Sequence, residues 1–262
     1  RPSLPLVLKD VTFVAAAGEK LGICGRTGSG KSSLFLALFR IIEPAGGVIK
    51  IDGVDVSTLG LHQLRSKMAM IPQDPFMFAG TIRNNLDPFD EHDDAAVWSA
   101  LEQVGLKHMA EDAAKKLDME VVDNGGNFSL GQRQLLCMGR ALLRNSRVLM
   151  MDEATASVDM DSDALIQKTV REAFAACTTL TIAHRLNTVM DSDKVAFLDD
   201  GELVEFGEPE ELLKNPKGKF TALVNRTGEK QSKFLRTMST RAHESRLARI
   251  ASESEIADAV GK

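Results

Sequence analysis

Gly25-Arg26-Thr27-Gly28-Ser29-Gly30-Lys31-Ser32 is the stretch that decides the fold, because it fits the pattern G-x-x-x-x-G-K-[ST] without a mismatch. Glycines let the backbone wrap closely around a phosphate, and the N–H groups of the loop and of the following helix supply positive potential. In this pattern Lys31 reaches the outer phosphates and Ser32 is placed to ligate Mg²⁺. A chance match in a chain of this length has odds of about one in a hundred. The stretch therefore predicts a phosphate-binding loop.

The sequence around the loop has the strand and helix order that the pattern requires. Residues 20–24 are an apolar run that predicts a strand leading into the loop. Residues 33–40 predict a helix with Leu34, Leu38 and Ile41 on one face. This context favours a P-loop over a flexible glycine loop.

Two further apolar runs end in polar residues. Residues 148–151 lead into Asp152 and Glu153, and residues 179–183 lead into His184. Continuous apolar runs of this length are typical of parallel strands covered on both faces, with the chemistry at their carboxyl ends. Residues 6–13 and 48–53 also resemble strands.

Antiparallel structure is predicted near the end of the core. Residues 194–198 and 202–206 are apolar runs joined through Asp199-Asp200-Gly201, which indicates a hairpin. Residues 76–146 instead have helical periodicity, as in residues 95–104. The sequence thus predicts an α/β core with antiparallel additions and an inserted helical lobe.

These patterns divide the chain into three parts. We predict a discontinuous core at residues 1–75 and 147–228 and a helical subdomain at residues 76–146. A polar C-terminal extension follows at residues 229–262. The extension reads as a mobile or isolated amphipathic segment, with a solvated tail as the favoured interpretation.

The amino-acid composition favours some classes of protein over others. The 262 residues are 44% hydrophobic and 26% charged with a formal net charge of −5, which is ordinary for a soluble globular chain. The mildly acidic balance gives no basic footprint, so we expect no nucleic-acid partner. No apolar run approaches the roughly 20 residues that span a bilayer, and the first residues do not resemble a signal peptide. The three cysteines lack the spacing of a metal or redox site, which predicts small buried hydrophobes in a reducing compartment.

The acidic pair after the strand at 148–151 has two possible roles. Such a pair is more often a helix cap or a loop charge, but here it follows a P-loop. In that setting Asp152 is the expected second Mg²⁺ contact, usually through water, and Glu153 is the natural general base for an attacking water.

The stretch Phe128-Ser129-Leu130-Gly131-Gln132 resembles the Leu-Ser-Gly-Gly-Gln signature of the ATP-binding cassette (ABC) family. Ser129 and Gly131 stand where a helix is expected to begin, and a helix N-terminus with a hydroxyl and exposed N–H groups is a second anion site. The resemblance implies that this site serves the γ-phosphate held by the opposite subunit.

Three more segments resemble the family's motifs in the expected order. Gln73 resembles the Q-loop glutamine that contacts Mg²⁺ and links the core to the helical lobe. Ser157-Val158-Asp159 resembles the D-loop, which crosses the dimer interface, and His184 resembles the switch histidine that positions water and Glu153. The resemblance therefore implies three sets of site residues: Glu153 and His184 for catalysis; Gly25, Arg26, Thr27, Gly28, Ser29, Gly30, Lys31, Ser32, Ser33, Gln73, Ser129, Gly131, Gln132 and Asp159 for nucleotide binding; and Ser32, Gln73 and Asp152 for the metal.

The resemblance covers residues 5–225 and implies a P-loop NTPase (RecA-like) core with a mixed sheet, an antiparallel β subdomain and an inserted α-helical subdomain. It is nearest to the second nucleotide-binding domain of subfamily C, the multidrug-resistance-associated type. This follows from the signature continuing into Arg133-Gln134-Leu135, from residues 85–89, and from Glu153 at the base position.

The implied function is Mg²⁺-dependent ATP hydrolysis that powers substrate export, with ATP and Mg²⁺ as cofactors. The implied partners are a second nucleotide-binding domain, in a head-to-tail dimer, and the transmembrane domains of the parent transporter. We expect the domain to lie on the cytoplasmic side of a membrane as part of an integral membrane transporter, and the fragment alone to be soluble. Three alternatives remain: an ABC protein that gates a channel or receptor, a soluble ABC protein of translation or repair, and a small-molecule kinase.

Two features depart from the family pattern. Leu130 replaces the first signature glycine, which is usual for second domains of this subfamily. The family also stacks adenine on an aromatic residue before the first core strand, commonly Tyr, whereas no aromatic residue precedes Phe13 here. We expect that aromatic residue to lie just upstream of Arg1.

Extending the chain upstream with an aromatic residue at that place should tighten ATP binding. The gain should be about 1–3 kcal/mol, by analogy with the stacking of a base on an aromatic side chain. Titration of both chains with a fluorescent ATP analogue measures it, and equal affinities would contradict the stacking argument.

Overall fold

The computed structural model describes residues 5–152, 158–183 and 185–260, with side chains of the last helix described to residue 248. The chain divides into two compact units. The loop unit consists of Arg1–Ala15, Glu19–Leu34 and Thr181–Lys262, and carries the phosphate-loop pattern. The signature unit consists of Ala16–Gly18 and Phe35–Leu180, and carries the signature pattern.

Ten short strands are assigned within the described residues. They are β1 (Lys20–Gly25), β2 (Lys50–Ile51), β3 (Val54–Asp55), β4 (Met68–Ile71), β5 (Gly80–Thr81), β6 (Glu120–Val121), β7 (Val148–Asp152), β8 (Thr178–Ile182), β9 (Lys194–Asp199) and β10 (Glu202–Gly207).

Eleven α-helices are assigned in the same ranges. They are α1 (Lys31–Leu38), α2 (Leu61–Arg65), α3 (Ile82–Leu86), α4 (Asp94–Gln103), α5 (Lys107–Asp112), α6 (Leu130–Leu143), α7 (Met160–Glu172), α8 (Leu186–Met190), α9 (Pro209–Leu213), α10 (Lys219–Asn225) and α11 (Glu229–Val260).

The sheet of the loop unit contains the strand that leads into the phosphate loop. Its order is β10-β9-β1, followed by the last two residues of β8. β1 pairs in parallel with β9, with Ile23 opposite Ala196, and β10 pairs antiparallel to β9 with a bulge between Leu203 and Glu205. Apolar side chains of β1 and β9 are fully buried. The predicted hairpin is confirmed, and its first strand also pairs in parallel with β1.

The sheet of the signature unit has the order β8-β7-β4. β4 pairs in parallel with β7, with Ala69 opposite Leu149 and Ile71 opposite Met151. The sequence did not single out β4, because Met68–Ile71 is an apolar run of only four residues before Pro72. Such a run cannot be told from part of a helix by periodicity alone.

Three local predictions are wrong. Residues 6–13 form no strand, because Asp10 has a left-handed φ of 49° that interrupts any extended run. Residues 48–53 contribute only the two-residue β2, paired with β3 alone. The helix after the phosphate loop ends at Leu38, so Ile41 lies beyond it and is exposed.

The helical texture of residues 76–146 is confirmed, apart from the two-residue ladder of β5 and β6. Helices α3, α4 and α6 bury one apolar core with β4 and β7. Leu101 in α4 and Leu136 in α6 are fully buried. The burial of this continuous apolar face, rather than helix propensity, stabilises the segment.

The C-terminal extension differs from the expected tail. α11 places fully buried Leu235 against Phe220 and Val224 within the loop unit. Farther along, Arg246 forms ion pairs with Asp193 and Glu208, both at 3.0 Å. The sequence missed this packing because α11 carries few apolar residues and its ion-pair partners come from distant segments.

The three cysteines are small buried side chains, as the composition predicts. Cys24, Cys137 and Cys177 are free and buried, and burial raises the pKa of the Cys24 thiol. Within the described residues, no helix is both long and apolar enough to cross a membrane.

Replacing Leu235 by Ala should lower the free energy of unfolding by about 2–5 kcal/mol, because it empties a fully buried site. The adjacent Phe234 is 53% exposed, so Phe234→Ala is the matched control, with a loss under about 1 kcal/mol. Urea unfolding measures both. Equal losses would contradict the packing of α11.

Candidate ATP-binding and signature sites

The glycines of the phosphate loop are required by close backbone approach. Gly25, at the end of β1, has φ +148°, and a Cβ there would lie 2.1 Å from the carbonyl oxygen of Leu198. Gly30 has φ +101°, and a Cβ there would lie 2.7 Å from a methyl carbon of Leu8. Only glycine fits both the backbone conformation and the space at these positions. These two glycines therefore allow the loop to connect β1 to α1.

Lys31 organises the loop from within. Its side chain is buried, and Nζ donates to the carbonyl oxygens of Gly25 at 3.0 Å and Arg26 at 2.9 Å. The ammonium group thus lies inside the curve of the loop, where a phosphate group would meet it.

The outer part of the loop is open to solvent. Arg26, Thr27 and Gly28 are exposed, as is Ser32 at the first turn of α1. Ser29 is buried, and its amide donates to Arg26 O at 3.1 Å, which closes the turn. A buried lysine beneath exposed amide groups is the donor set that a nucleotide's phosphates require. The residues therefore fit the predicted ligand.

Two predicted metal residues lie at the carboxyl ends of neighbouring strands in the signature unit. Ile71 of β4 is opposite Met151 of β7, so Asp152, the last residue of β7, and Gln73, two residues after β4, lie toward the same edge of the sheet. An amide oxygen and a carboxylate are suitable Mg²⁺ partners, and Mg²⁺ keeps several waters rather than needing a protein cage. Within the described ranges, no cluster of three or more His, Cys, Asp or Glu could hold a metal ion.

Both predicted catalytic residues, Glu153 and His184, lie outside the described residues. Ser157 of the D-loop lies outside them as well.

The signature begins a helix, as the sequence predicts. Ser129 is the N-cap of α6, and its hydroxyl oxygen accepts a hydrogen bond from Gln132 N at 3.1 Å. Ser129 N in turn donates to Gln132 Oε1 at 2.9 Å, which completes a capping box. Gln132 therefore holds the cap, while Ser129 remains exposed at the start of a 14-residue helix.

Two polar side chains of α6, Gln134 and Arg140, donate hydrogen bonds to backbone carbonyl groups of the segment after β4. The sequence did not predict this role for either of them. Gln134 is 1% exposed, and its Nε2 donates to Pro72 O at 3.1 Å and Gln73 O at 3.0 Å. Their signal in the sequence would be polar residues at buried positions of an amphipathic helix. Gln134 therefore ties the backbone of the Q-loop to the signature helix.

Arg140 lies six residues, or about 1.7 turns, farther along α6. Its guanidinium donates to Phe76 O at 2.8 Å and to Asn85 Oδ1 at 2.7 Å, and also to Asn85 O. It lies 5.5 Å from the ring centroid of Phe78. Burial lowers the pKa of this guanidinium from its ordinary value, yet a guanidinium remains charged. Asn85 is thus fully buried as its partner.

The D-loop aspartate caps the next helix. Asp159 is the N-cap of α7, and its Oδ1 accepts a hydrogen bond from Ser162 N at 2.9 Å. This bond lowers the pKa of the exposed Asp159 carboxyl. Val158, the residue before Asp159, is buried, which fixes the start of α7 within the signature unit.

Replacing Arg140 by Lys should lower the free energy of unfolding by about 1.5–3 kcal/mol. A single ammonium cannot span the carbonyl and amide oxygens that the guanidinium fork reaches. Arg144→Lys is the matched control, because exposed Arg144 caps the end of the same helix and donates to Arg65 O at 3.3 Å. Urea unfolding compares them, and indistinguishable variants would show that the fork is dispensable.

Several known proteins are similar to this chain over most of its length. The family model described as "ABC transporter" matches residues 8–156. The chain is 54% identical over 228 residues to ATP-binding cassette sub-family C member 2 of Homo sapiens, covering 87% of this chain and 15% of that protein. It is 54% identical over 231 residues to sub-family C member 4 of Mus musculus, covering 88% of this chain and 17% of that protein. The chain thus spans about a sixth of the length of these relatives.

A solved structure described as a bacterial Atm1-family ABC exporter with ATP bound is also similar. Its TM-score is 0.79 at 34% sequence identity, and the match covers 85% of this chain and 39% of that one. The predicted P-loop fold and the predicted family resemblance are both confirmed. The chain belongs to the ABC transporter family, as a nucleotide-binding domain of the subfamily C type.

Proposed function

We propose that this chain binds and hydrolyses ATP with Mg²⁺ to power export by a membrane transporter of the multidrug-resistance-associated type. The observation that carries the proposal is the phosphate loop, which curves around buried Lys31 between glycines that admit no side chain. The similar exporter structure described as having ATP bound supports the same ligand. A site that only binds a phosphate group would need the loop, but neither the signature helix cap nor the D-loop cap.

Each residue set has a chemical task in this proposal. Residues 25–33 hold the phosphates through backbone amides and Lys31. Ser32, Gln73 and Asp152 would hold Mg²⁺, which when bound neutralises charge on the phosphates. Glu153 would accept the proton of the attacking water, while His184 orients that water toward the γ-phosphate. Catalysis then rests on positioning and electrostatics, without a covalent intermediate.

The signature set serves a different nucleotide from the loop set. Ser129, Gly131, Gln132 and Asp159 would face the ATP held by a second nucleotide-binding domain, in a head-to-tail dimer. The exposed cap of α6 suits that task, because helix N-termini attract anions. By its resemblance to the second domains of subfamily C, this chain would be the second of the two nucleotide-binding domains of its transporter. Alone it would bind ATP but turn it over slowly.

The segment after Gln73 supports contact with transmembrane domains. Phe76 and Phe78 are about half exposed and meet edge to face with ring centroids 5.0 Å apart. Such an aromatic ridge is suited to a protein partner. We place the domain on the cytoplasmic side of a membrane in the intact transporter. We also keep the division into a core (1–75 and 147–228) and a helical subdomain (76–146).

Glu153→Gln should abolish turnover while ATP still binds, because the amide cannot accept the proton. Lys31→Ala should instead weaken ATP binding by at least about tenfold, since it removes the buried ammonium group. Phosphate release and equilibrium titration separate the two effects.

Exposed residues provide the controls, Glu202→Gln and Lys217→Ala. Turnover per chain should rise with chain concentration, because a complete site needs two domains. Normal hydrolysis by Glu153→Gln would remove the proposed base, and concentration-independent turnover would remove the shared site.

A further inference from the structure

The signature glycine and the D-loop helix touch directly. A Cβ built on Gly131 would lie 2.4 Å from Ser162 Cβ, 2.5 Å from Ser162 Oγ and 3.1 Å from Val158 Cγ1. Packed carbon atoms do not approach within 3.0 Å, so residue 131 has no room for a methyl group. Ser162 lies in the first turn of α7, and Val158, which is buried, precedes the N-cap Asp159.

Helix formation does not require a glycine here. Gly131 is the second residue of α6 and does not have a positive φ. Alanine forms helices better than glycine, so an alanine at this place would be favoured if space allowed. The requirement for glycine therefore comes from packing against α7, within this chain.

Ser162 contacts two motifs, the D-loop through its backbone amide and the signature through its side chain. Its amide donates to the Asp159 carboxylate at 2.9 Å, while its side chain lies against Gly131. Gly131 in turn lies between Ser129 and Gln132, the two residues of the capping box. The cap of the signature helix and the cap of the D-loop helix are thus held at a fixed spacing by one small contact.

We infer that Ser162 is a positioning residue for ATP turnover, which sets the spacing between the signature and the D-loop by its contact with Gly131. The inference rests on the proposed function, because both motifs act there on the partner's nucleotide. A displacement of about 1 Å at such groups can lower turnover by about a hundredfold. Widening this contact from either side should therefore slow the reaction in the same way.

Ser162→Val tests this from the side of the D-loop helix. It adds rigid bulk against Gly131 but leaves every signature residue in place. We expect kcat to fall at least about tenfold, as it should for Gly131→Ala, with KM and ATP affinity within about twofold of wild type because Gly25–Ser32 is unchanged. Gly126→Ala is the control, since a Cβ there meets its nearest neighbour at an ordinary 3.5 Å.

Rescue distinguishes packing from a direct need for glycine at the partner's phosphate. Gly131→Ala combined with Ser162→Gly removes both atoms below 3.0 Å, so kcat should return to within about threefold of Ser162→Gly alone. Gly131→Ala combined with Ser162→Ala keeps the Cβ at 2.4 Å and should remain slow. Melting temperatures of all variants report whether each one folds.

The outcomes are decisive in each direction. Wild-type kcat in Ser162→Val, or a Gly131→Ala and Ser162→Gly double variant as slow as Gly131→Ala, would overturn the inference. Recovery of the melting temperature without recovery of kcat would overturn it too. Absence of turnover in the wild-type chain would overturn the proposed function itself, and the positioning role with it.

Discussion

The backbone carbonyls that follow β4 depend on side chains of α6 for their hydrogen bonds. Gln134 satisfies Pro72 and Gln73, and Arg140 satisfies Phe76 and Asn85. Such a hydrogen bond contributes about 0.5–1.5 kcal/mol, or about 1.5–3 kcal/mol where the donor is charged, so α6 stabilises the course of this segment. The Q-loop, the aromatic ridge and the signature are therefore parts of one hydrogen-bonded structure in the signature unit.

The same helix fixes the signature by two different means. At its start, the capping box of Ser129 and Gln132 satisfies the free amides of the first turn. Beside the cap, Gly131 brings α6 close to Ser162 of α7. Hydrogen bonding sets the direction of the cap, and close packing sets its distance from the D-loop. The contact at Gly131 leaves no room for a larger side chain unless α6 or Ser162 moves.

In the loop unit, the phosphate loop is held in place by the close approach of two backbone segments. Gly25 comes so near Leu198 that no side chain fits, and Lys31 bonds the loop carbonyls from inside the curve. α11 adds to this unit by burying Leu235 and by pairing Arg246 with Asp193, whose carboxylate also accepts from Lys20 N at the start of β1. The strand that carries the phosphate loop is thus fixed at both ends.

The sequence alone determined the phosphate loop and the signature cap, because the residues that each pattern needs lie close together in the chain. A glycine in the left-handed region and a cap serine are recognised within a few residues of sequence. The tertiary structure alone decided β4, the roles of Gln134, Arg140 and Ser162, and the docking of α11. Gln134 meets Gln73 across 61 positions of sequence, and Arg246 meets Ser192 across 54. A side chain's partner at that distance depends on how helices pack, since spacing along the chain does not encode it.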